Sequence, residues 1–346
     1  MSFVSVVIPM RNEEAWIARC LGTVLAQDYP RESVEILVAD GMSTDGSRRL
    51  LAEMAGSDPR IRVIDNPGLI VPTGLNLAIA AARGDIIARI DAHTILEPDY
   101  LRIGVELLGR SGAANVGGPM VCRGGGPVGD AIARAMHSRF GIGAAFHFAK
   151  AESECDTVYM GMWPREVFEK VGLFDTELVR NQDDELSYRI RKFGGRILVT
   201  PTMKSLYQNR ESWKDLGRQF YQYGEWKVRV LQKHSRQMSV RHFVPPAFQL
   251  GLIGAAGLGL VWPAAGWLAF AAVALYAAVL ALVAALNRET VTSGERARLW
   301  LALVIIHQCW AAGFLVGLLR FAGRWGKRET QPPLLAARTT ARAWTE

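Results

Sequence analysis

Three short polar segments carry the groups in this sequence best suited to chemistry. Met10-Arg-Asn-Glu-Glu14, Asp40-Gly-Met-Ser-Thr-Asp45 and Asp91-Ala-His93 each follow a run of apolar, often β-branched residues. One carboxylate at such a place could accept hydrogen bonds from a base or ribose, and another could hold a cation against a diphosphate. Singly, each Asp or Asn could equally be a helix cap or a turn residue. Their shared position behind apolar runs favours one crevice that binds a nucleotide.

The preceding runs have the pattern of buried parallel strands. Phe3–Pro9, Val34–Ala39 and Ile86–Ile90 are short and apolar, and Ile61–Asp65 reads as a further strand. Glu13–Ala26, Ser47–Ala55 and Leu75–Ala82 read as helices, the first with Trp16, Ile17, Cys20, Leu21, Val24 and Leu25 at a helical period. This alternation through short links predicts βαβ units and a parallel sheet, whose ligands bind beyond the carboxyl ends of the strands. No Gly-x-Gly-x-x-Gly follows the first strand and no Gly-x-x-x-x-Gly-Lys-Ser/Thr occurs. A dinucleotide dehydrogenase and a P-loop enzyme are therefore disfavoured.

Composition divides the chain. Half of its 346 residues are hydrophobic, enough for one large domain with an appendage. Residues 1–242 read as a soluble α/β domain, residues 243–321 as an apolar membrane region, and residues 322–346 as a basic tail. The basic residues behind the net charge of +7 cluster in Arg218–Arg241 and Arg320–Arg342, on either side of the apolar region. Anionic lipid headgroups attract such flanks. No basic stripe runs through the folded part, so the expected partner is a membrane and not a nucleic acid.

Cys20, Cys122, Cys155 and Cys309 have no paired spacing, which argues against a disulfide framework or zinc site and fits a reducing compartment. The apolar run Phe3–Ile8 is too short for the core of a signal peptide. The folded part is expected on the cytosolic side of an inner, cytoplasmic membrane of bacterial type. Ala264–Leu286 and Leu299–Phe321 are long enough to cross a hydrocarbon core of roughly 30 Å. Val244–Trp262 is shorter and Gly-rich, a span or an interfacial helix. Three spans would put the Arg-rich tail outside, against the positive-inside rule; two would leave Arg288, Arg296 and Arg298 there.

The sequence resembles family 2 glycosyltransferases, which have the GT-A, Rossmann-like fold. The resemblance rests on Val4-Ser-Val-Val-Ile-Pro-Met-Arg-Asn-Glu-Glu14, Val38-Ala-Asp-Gly-Met-Ser-Thr-Asp-Gly-Ser47, Asn66-Pro-Gly, Gly74-Leu-Asn76 and Gly84-Asp-Ile-Ile-Ala-Arg-Ile-Asp-Ala-His93. Gly161-Met-Trp-Pro-Arg-Glu-Val-Phe, Gly172-Leu-Phe-Asp175 and Asn181-Gln-Asp-Asp-Glu-Leu-Ser-Tyr-Arg189 follow in the family's order. The sequence is most similar to the succinoglycan-biosynthesis branch, with Asp-Ala-His where relatives commonly have Asp-x-Asp. The resemblance implies an inverting transferase moving a sugar, often glucose from a UDP-sugar, to a lipid-linked saccharide of an exopolysaccharide.

By the same resemblance, Asp183 is the expected catalytic base, with Asp184 and Glu185 as neighbours and Glu185 the better candidate for support or capping. Asp91 is the expected metal-side carboxylate. His93 either ligates a divalent cation or donates to the diphosphate. As a ligand it would favour Mn²⁺ over Mg²⁺, because imidazole suits the latter poorly. Pro9, Arg11, Glu13, Asp40, Gly74 and Asn76 fall at nucleotide-binding positions, although Asn76 could serve only its helix. Gly161 and Trp163 fall at the sugar and acceptor pocket, with core packing the alternative for Trp163. Gln222-Tyr-Gly-Glu-Trp226 matches an acceptor-side motif, but Glu225 replaces the Arg of processive synthases, so transfer of a single sugar is expected. Trp226 could instead lie at a bilayer interface. A polyprenyl-phosphate sugar transferase and a non-catalytic assembly protein are the competing functions.

Overall fold

The computed structural model describes residues 2–142 and 145–326; the tail from residue 327 lies outside the described residues. Its strands are β1 (Val4–Met10), β2 (Val34–Asp40), β3 (Ile61–Asp65), β4 (Ile86–Arg89), β5 (Thr94–Leu96), β6 (Asn115–Gly118), β7 (Met120–Arg123), β8 (Ser153–Glu154), β9 (Tyr159–Pro164), β10 (Ile197–Val199) and β11 (Ser205–Gln208). Its helices are α1 (Ile17–Leu25), α2 (Ser47–Ser57), α3 (Val71–Ala81), α4 (Tyr100–Ser111), α5 (Gly126–Met136), α6 (Arg165–Val171), α7 (Gln182–Lys192), α8 (Trp213–Lys233), α9 (Val244–Gly259), α10 (Pro263–Leu286) and α11 (Ser293–Arg320). These residues form two compact units, one drawn from residues 2–121 and 145–208, the other from 122–142 and 209–326.

The first unit is built on a sheet ordered β3-β2-β1-β4-β9-β6-β10-β8. β1 pairs parallel with β2 and with β4, and β2 with β3. Strand order therefore reverses at β1, the position beside which open sheets bind ligands. Every residue of β1 and β2 is buried. Val4, Val6, Ile8, Ile36 and Val38 share one core with Ile17, Leu21 and Val24 of α1. Each such side chain contributes about 1.5–3 kcal/mol by leaving water. The expected parallel sheet is extended into a mixed one, because β9 runs antiparallel between β4 and β6. β9 also carries a register shift where Met160 and Gly161 take positive φ (59° and 103°).

The second unit is helical. α8 packs along α11 with almost no space between backbones. A Cβ on Gly224 would run into the Trp310 carbonyl, one on Gly313 into that of Tyr221, and one on Gly317 would lie 2.6 Å from that of Glu225. The Arg320 guanidinium donates to Glu225 at 2.6 Å, and the Trp226 ring lies 5.3 Å from that of Phe321. α11 opens with a reciprocal cap between Thr292 and Glu295, and Glu295 pairs with Arg134 of α5 at 3.2 Å. The division of the chain consequently differs from the hydropathy boundary at residue 242, since α5 and α8 belong with the apolar helices.

α10 and α11, at 24 and 28 residues, are long and apolar enough to cross a membrane; α9, at 16, is shorter. The exposed Trp267, Leu268, Phe270 and Leu275 of α10 have no apolar cover within the described residues.

Candidate active site

The site belongs to the first unit and begins with an opening between β1 and β4. The β1–β2 register runs to Met10–Asp40, but β1–β4 pairing ends at Val7–Arg89. Pro9 lies just past that end, where the missing N–H of proline leaves no ladder donor unsatisfied. The loops after β1, β2 and β4 converge there.

The first two loops are stitched together. Asn12 N–H donates to Ser43 Oγ (2.8 Å), Glu13 N–H to Ser47 Oγ (2.9 Å), Thr44 N–H to Asn12 Oδ1 (2.8 Å) and Gly46 N–H to Glu14 Oε2 (3.0 Å). Asn12 and Met42 pay for this with left-handed φ values of 56° and 54°. Arg11 is exposed at the rim. Asp40 is fully buried, accepting from Ser43 Oγ at 2.5 Å and from Arg48 Nη1 at 2.7 Å. Arg48 reaches on to Asp65 at 2.8 Å. The Asp40 carboxylate is thus spent inside the protein, and a base or ribose contact from it requires Arg48 or Ser43 to let go.

Beyond β4 the decisive side chains meet. Arg89 Nε donates to Asp91 Oδ1 at 2.9 Å. Arg89 is only 6 % exposed, and its Nη1 has no protein partner. His93 Nδ1 lies 3.1 Å from Glu13 Oε1, and its ring meets the edge of Tyr207 at 5.3 Å. Met160, held in its strained conformation, places Sδ 3.4 Å from Asp91 N–H.

Asp183 stands in the first turn of α7, half-buried, and accepts from Asp184 N–H at 2.9 Å. Burial pushes its carboxyl above the ordinary aspartate range. The Arg89 charge acts in the opposite direction, and the charges of Asp184 and Asp91 add to the rise. Asp183, Arg89 and Asp91 therefore form one electrostatic group. Glu185 turns away from it and grips Arg189 with both oxygens at 2.7 and 2.8 Å. Arg189 in turn donates to the carbonyls of Val171, Gly172 and Leu173. Glu185 thereby braces Arg189 against the turn that follows α6.

Other expected site residues are taken up by packing. The Asn76 amide donates to Phe174 O (2.8 Å) and accepts from Phe174 N–H (3.0 Å). Gly74 lets α3 approach the sheet, where a Cβ would meet Asn66 at 3.0 Å and Ala39 at 3.2 Å. Trp163, expected at the sugar pocket, is 2 % exposed and packs edge-on against Phe168 and Phe174. Its ring belongs to the core, because the alternation of β9 turns it toward α6. Gly161 is buried beneath Asn115 and Trp163, at a φ that a side chain would strain. Gln222 and Trp226 lie on α8 of the second unit.

Arg89 is the residue the sequence reading passed over. Its signal was a lone charge inside Ile86-Ile-Ala-Arg-Ile90, two residues before Asp91 and on the same strand face.

Asp91 and His93 suit a divalent cation as a carboxylate oxygen and an imidazole nitrogen. Among the described residues no group of three or more His, Cys, Asp or Glu is placed to hold a metal alone. As a donor set the two are chemically compatible with a divalent cation whose remaining ligands come from outside the protein.

Comparison with known proteins bears on the family and the fold. The family model described as glycosyl transferase family 2 matches residues 5–172. The chain is 30 % identical to the succinoglycan biosynthesis protein ExoA of Rhizobium meliloti (strain 1021), over 92 % of this chain and 96 % of that protein. It is 31 % identical to a dolichyl N-acetyl-α-D-glucosaminyl phosphate 3-β-D-2,3-diacetamido-2,3-dideoxy-β-D-glucuronosyltransferase of Methanococcus voltae, over 67 % of this chain and 75 % of that one. In fold it is similar to the mannosyltransferase PcManGT of Pyrobaculum calidifontis, solved with GDP-Man and Mn²⁺. The TM-score is 0.57 at 23 % identity, covering 91 % of this chain and 87 % of that one.

Proposed function

Because this chain belongs to glycosyl transferase family 2, we propose that it moves a single sugar, with inversion, from a UDP-sugar to a lipid-linked saccharide during exopolysaccharide synthesis. The observation that carries this reading is the group formed by Arg89 and Asp91 at the end of β4 with Asp183 in the first turn of α7. Asp183 takes the proton of the acceptor hydroxyl as that oxygen attacks the anomeric carbon. A base raised above the ordinary aspartate range is better matched to that proton than an ordinary aspartate. Arg89 keeps the base ionisable and fixes Asp91. A divalent cation held by Asp91 and His93 together with the diphosphate, Mn²⁺ before Mg²⁺, would neutralise charge on the leaving group.

The Methanococcus relative is named for transfer to a sugar on dolichyl phosphate, and the Rhizobium relative for succinoglycan biosynthesis. The first supports a lipid-linked acceptor and the second an exopolysaccharide product, and the two apolar helices of membrane-spanning length fit a lipid-linked acceptor. Glucose is the donor sugar favoured by the succinoglycan resemblance. The unpaired cysteines and basic flanks support a catalytic unit on the cytosolic face.

The test is transfer by membranes containing the protein, supplied with Mn²⁺, labelled nucleotide sugars and lipid-linked acceptors. Asp183→Asn is expected to lose about 10²–10⁴-fold in turnover while still binding UDP. Equal turnover in both proteins removes Asp183 as the base. UDP binding by wild type without transfer to any acceptor favours an assembly protein instead. His93→Asp should retain Mn²⁺-dependent turnover and gain with Mg²⁺.

A further inference from the structure

Glu13 was expected beside the nucleoside, but its carboxylate turns to His93. Its backbone is held by Ser47 at 2.9 Å, within the stitched loops after β1 and β2. From that anchor Oε1 reaches His93 Nδ1 at 3.1 Å, across 80 residues of sequence. The edge of Tyr207 restrains the ring from the side, and the Tyr207 ring is itself 5.7 Å from that of Tyr159. Both partners of the pair are partly shielded, at 24 % and 23 % side-chain exposure.

We infer that Glu13 is a positioning residue that sets the tautomer of His93. An ionised carboxylate can only accept, so a neutral His93 facing it carries its proton on Nδ1. Nε2 then presents a lone pair. In its neutral form His93 is then suited to hold a cation through Nε2, because an Nε2 without a proton has nothing to donate to a diphosphate. A carboxylate behind a ligating imidazole also raises its basicity and fixes its orientation. Glu13 thereby joins the loops proposed to hold the nucleoside to the residues proposed to hold the cation. The inference rests on the cation-side reading of Asp91 and His93 given above.

The test is Mn²⁺ binding by the full-length protein in detergent, followed by electron paramagnetic resonance with and without UDP. UDP binding in the absence of metal is measured in parallel. Glu13→Ala is expected to weaken Mn²⁺ binding in the presence of UDP by about 10–100-fold, and to leave metal-free UDP binding within twofold. Glu13→Gln, whose amide oxygen can still accept from Nδ1–H, should lose much less. In a His93→Ala background, Glu13→Ala should change Mn²⁺ affinity no further, which a general loosening of the loops would not produce. An unchanged Mn²⁺ affinity in Glu13→Ala overturns the inference, as does an equal loss in the His93→Ala background. A matching loss of metal-free UDP binding returns Glu13 to the nucleoside. If wild type binds no Mn²⁺ with UDP, the cation-side reading itself fails.

Discussion

Arg89 and Asp91 form an ion pair of 2.9 Å at the end of β4, and the same guanidinium acts electrostatically on Asp183 of α7. One buried cation thus serves two carboxylates from different parts of the chain. It lowers the carboxyl of Asp183 against burial, which raises it more.

The pH dependence of turnover follows from that balance. A general base works ionised, so kcat/KM should rise with pH, with a midpoint above the ordinary aspartate range because the carboxyl of Asp183 is raised. Arg89→Met removes the charge that favours the ionised form and should move this limb to higher pH. Arg89→Lys keeps the charge and should move it less. The check is kcat/KM against pH at saturating Mn²⁺; an unmoved limb in Arg89→Met would remove the coupling.

A second prediction concerns stability at the opposite end of the sheet. Glu35 of β2, 1 % exposed, accepts from Ser5 Oγ (2.6 Å), Arg83 N–H (2.6 Å) and Arg83 Nε (3.0 Å). Burial raises its carboxyl, but these hydrogen bonds outweigh burial and hold it below the ordinary glutamate range. A depressed carboxyl contributes stability that is present above the unfolded value and lost as pH falls through the folded one. Glu35→Ala should cost about 2–4 kcal/mol at neutral pH. In thermal unfolding, the variant and wild type should draw closer together as pH falls below the glutamate range.

Asn76 offers a test that separates support from ligand binding. With both amide groups on the backbone of Phe174, Asn76→Ala should lower stability by about 1–3 kcal/mol and leave UDP affinity within twofold. Reduced UDP affinity at full stability would put this side chain back at the nucleotide.

Those residues mark how far the sequence could be read. β1, β2 and β4 were legible because buried parallel strands are nearly continuous apolar runs, and their polar ends were legible because Asp40 and Asp91 interrupt those runs. β9 was not, since Met160-Gly-Met-Trp lacks a β-branched pattern and is shaped by positive φ at two positions. The roles of Gly74, Asn76 and Trp163 depend on which residue lies opposite, and spacing along the chain does not encode that. The contact of Glu13 with His93 was hidden for the same reason. Arg89 was visible as an anomaly in an apolar strand, and only its partners give that anomaly meaning.

The helix pair of the second unit makes a sharper mutational prediction than its composition does. Gly313→Leu should separate α8 from α11, lowering the thermal midpoint and opening α8 to protease, because a Cβ there meets the Tyr221 backbone. Gly251→Ala on α9, where nothing lies within 4 Å, should be neutral or slightly stabilising, as alanine is the better helix former. Equal effects of the two would refute close backbone packing as the cause.

That packing also bears on how the enzyme can be handled. A chain shortened at residue 242, where hydropathy turns apolar, would keep α8 and discard α11. Tyr221, Glu225 and Trp226 would lose the backbone and rings they lie against, and an apolar stripe including Val228 would face water. Such a fragment would be a sticky, aggregating one, although every residue removed lies beyond the catalytic motifs. The soluble enzymology of this protein is inseparable from a helix long and apolar enough to cross a membrane.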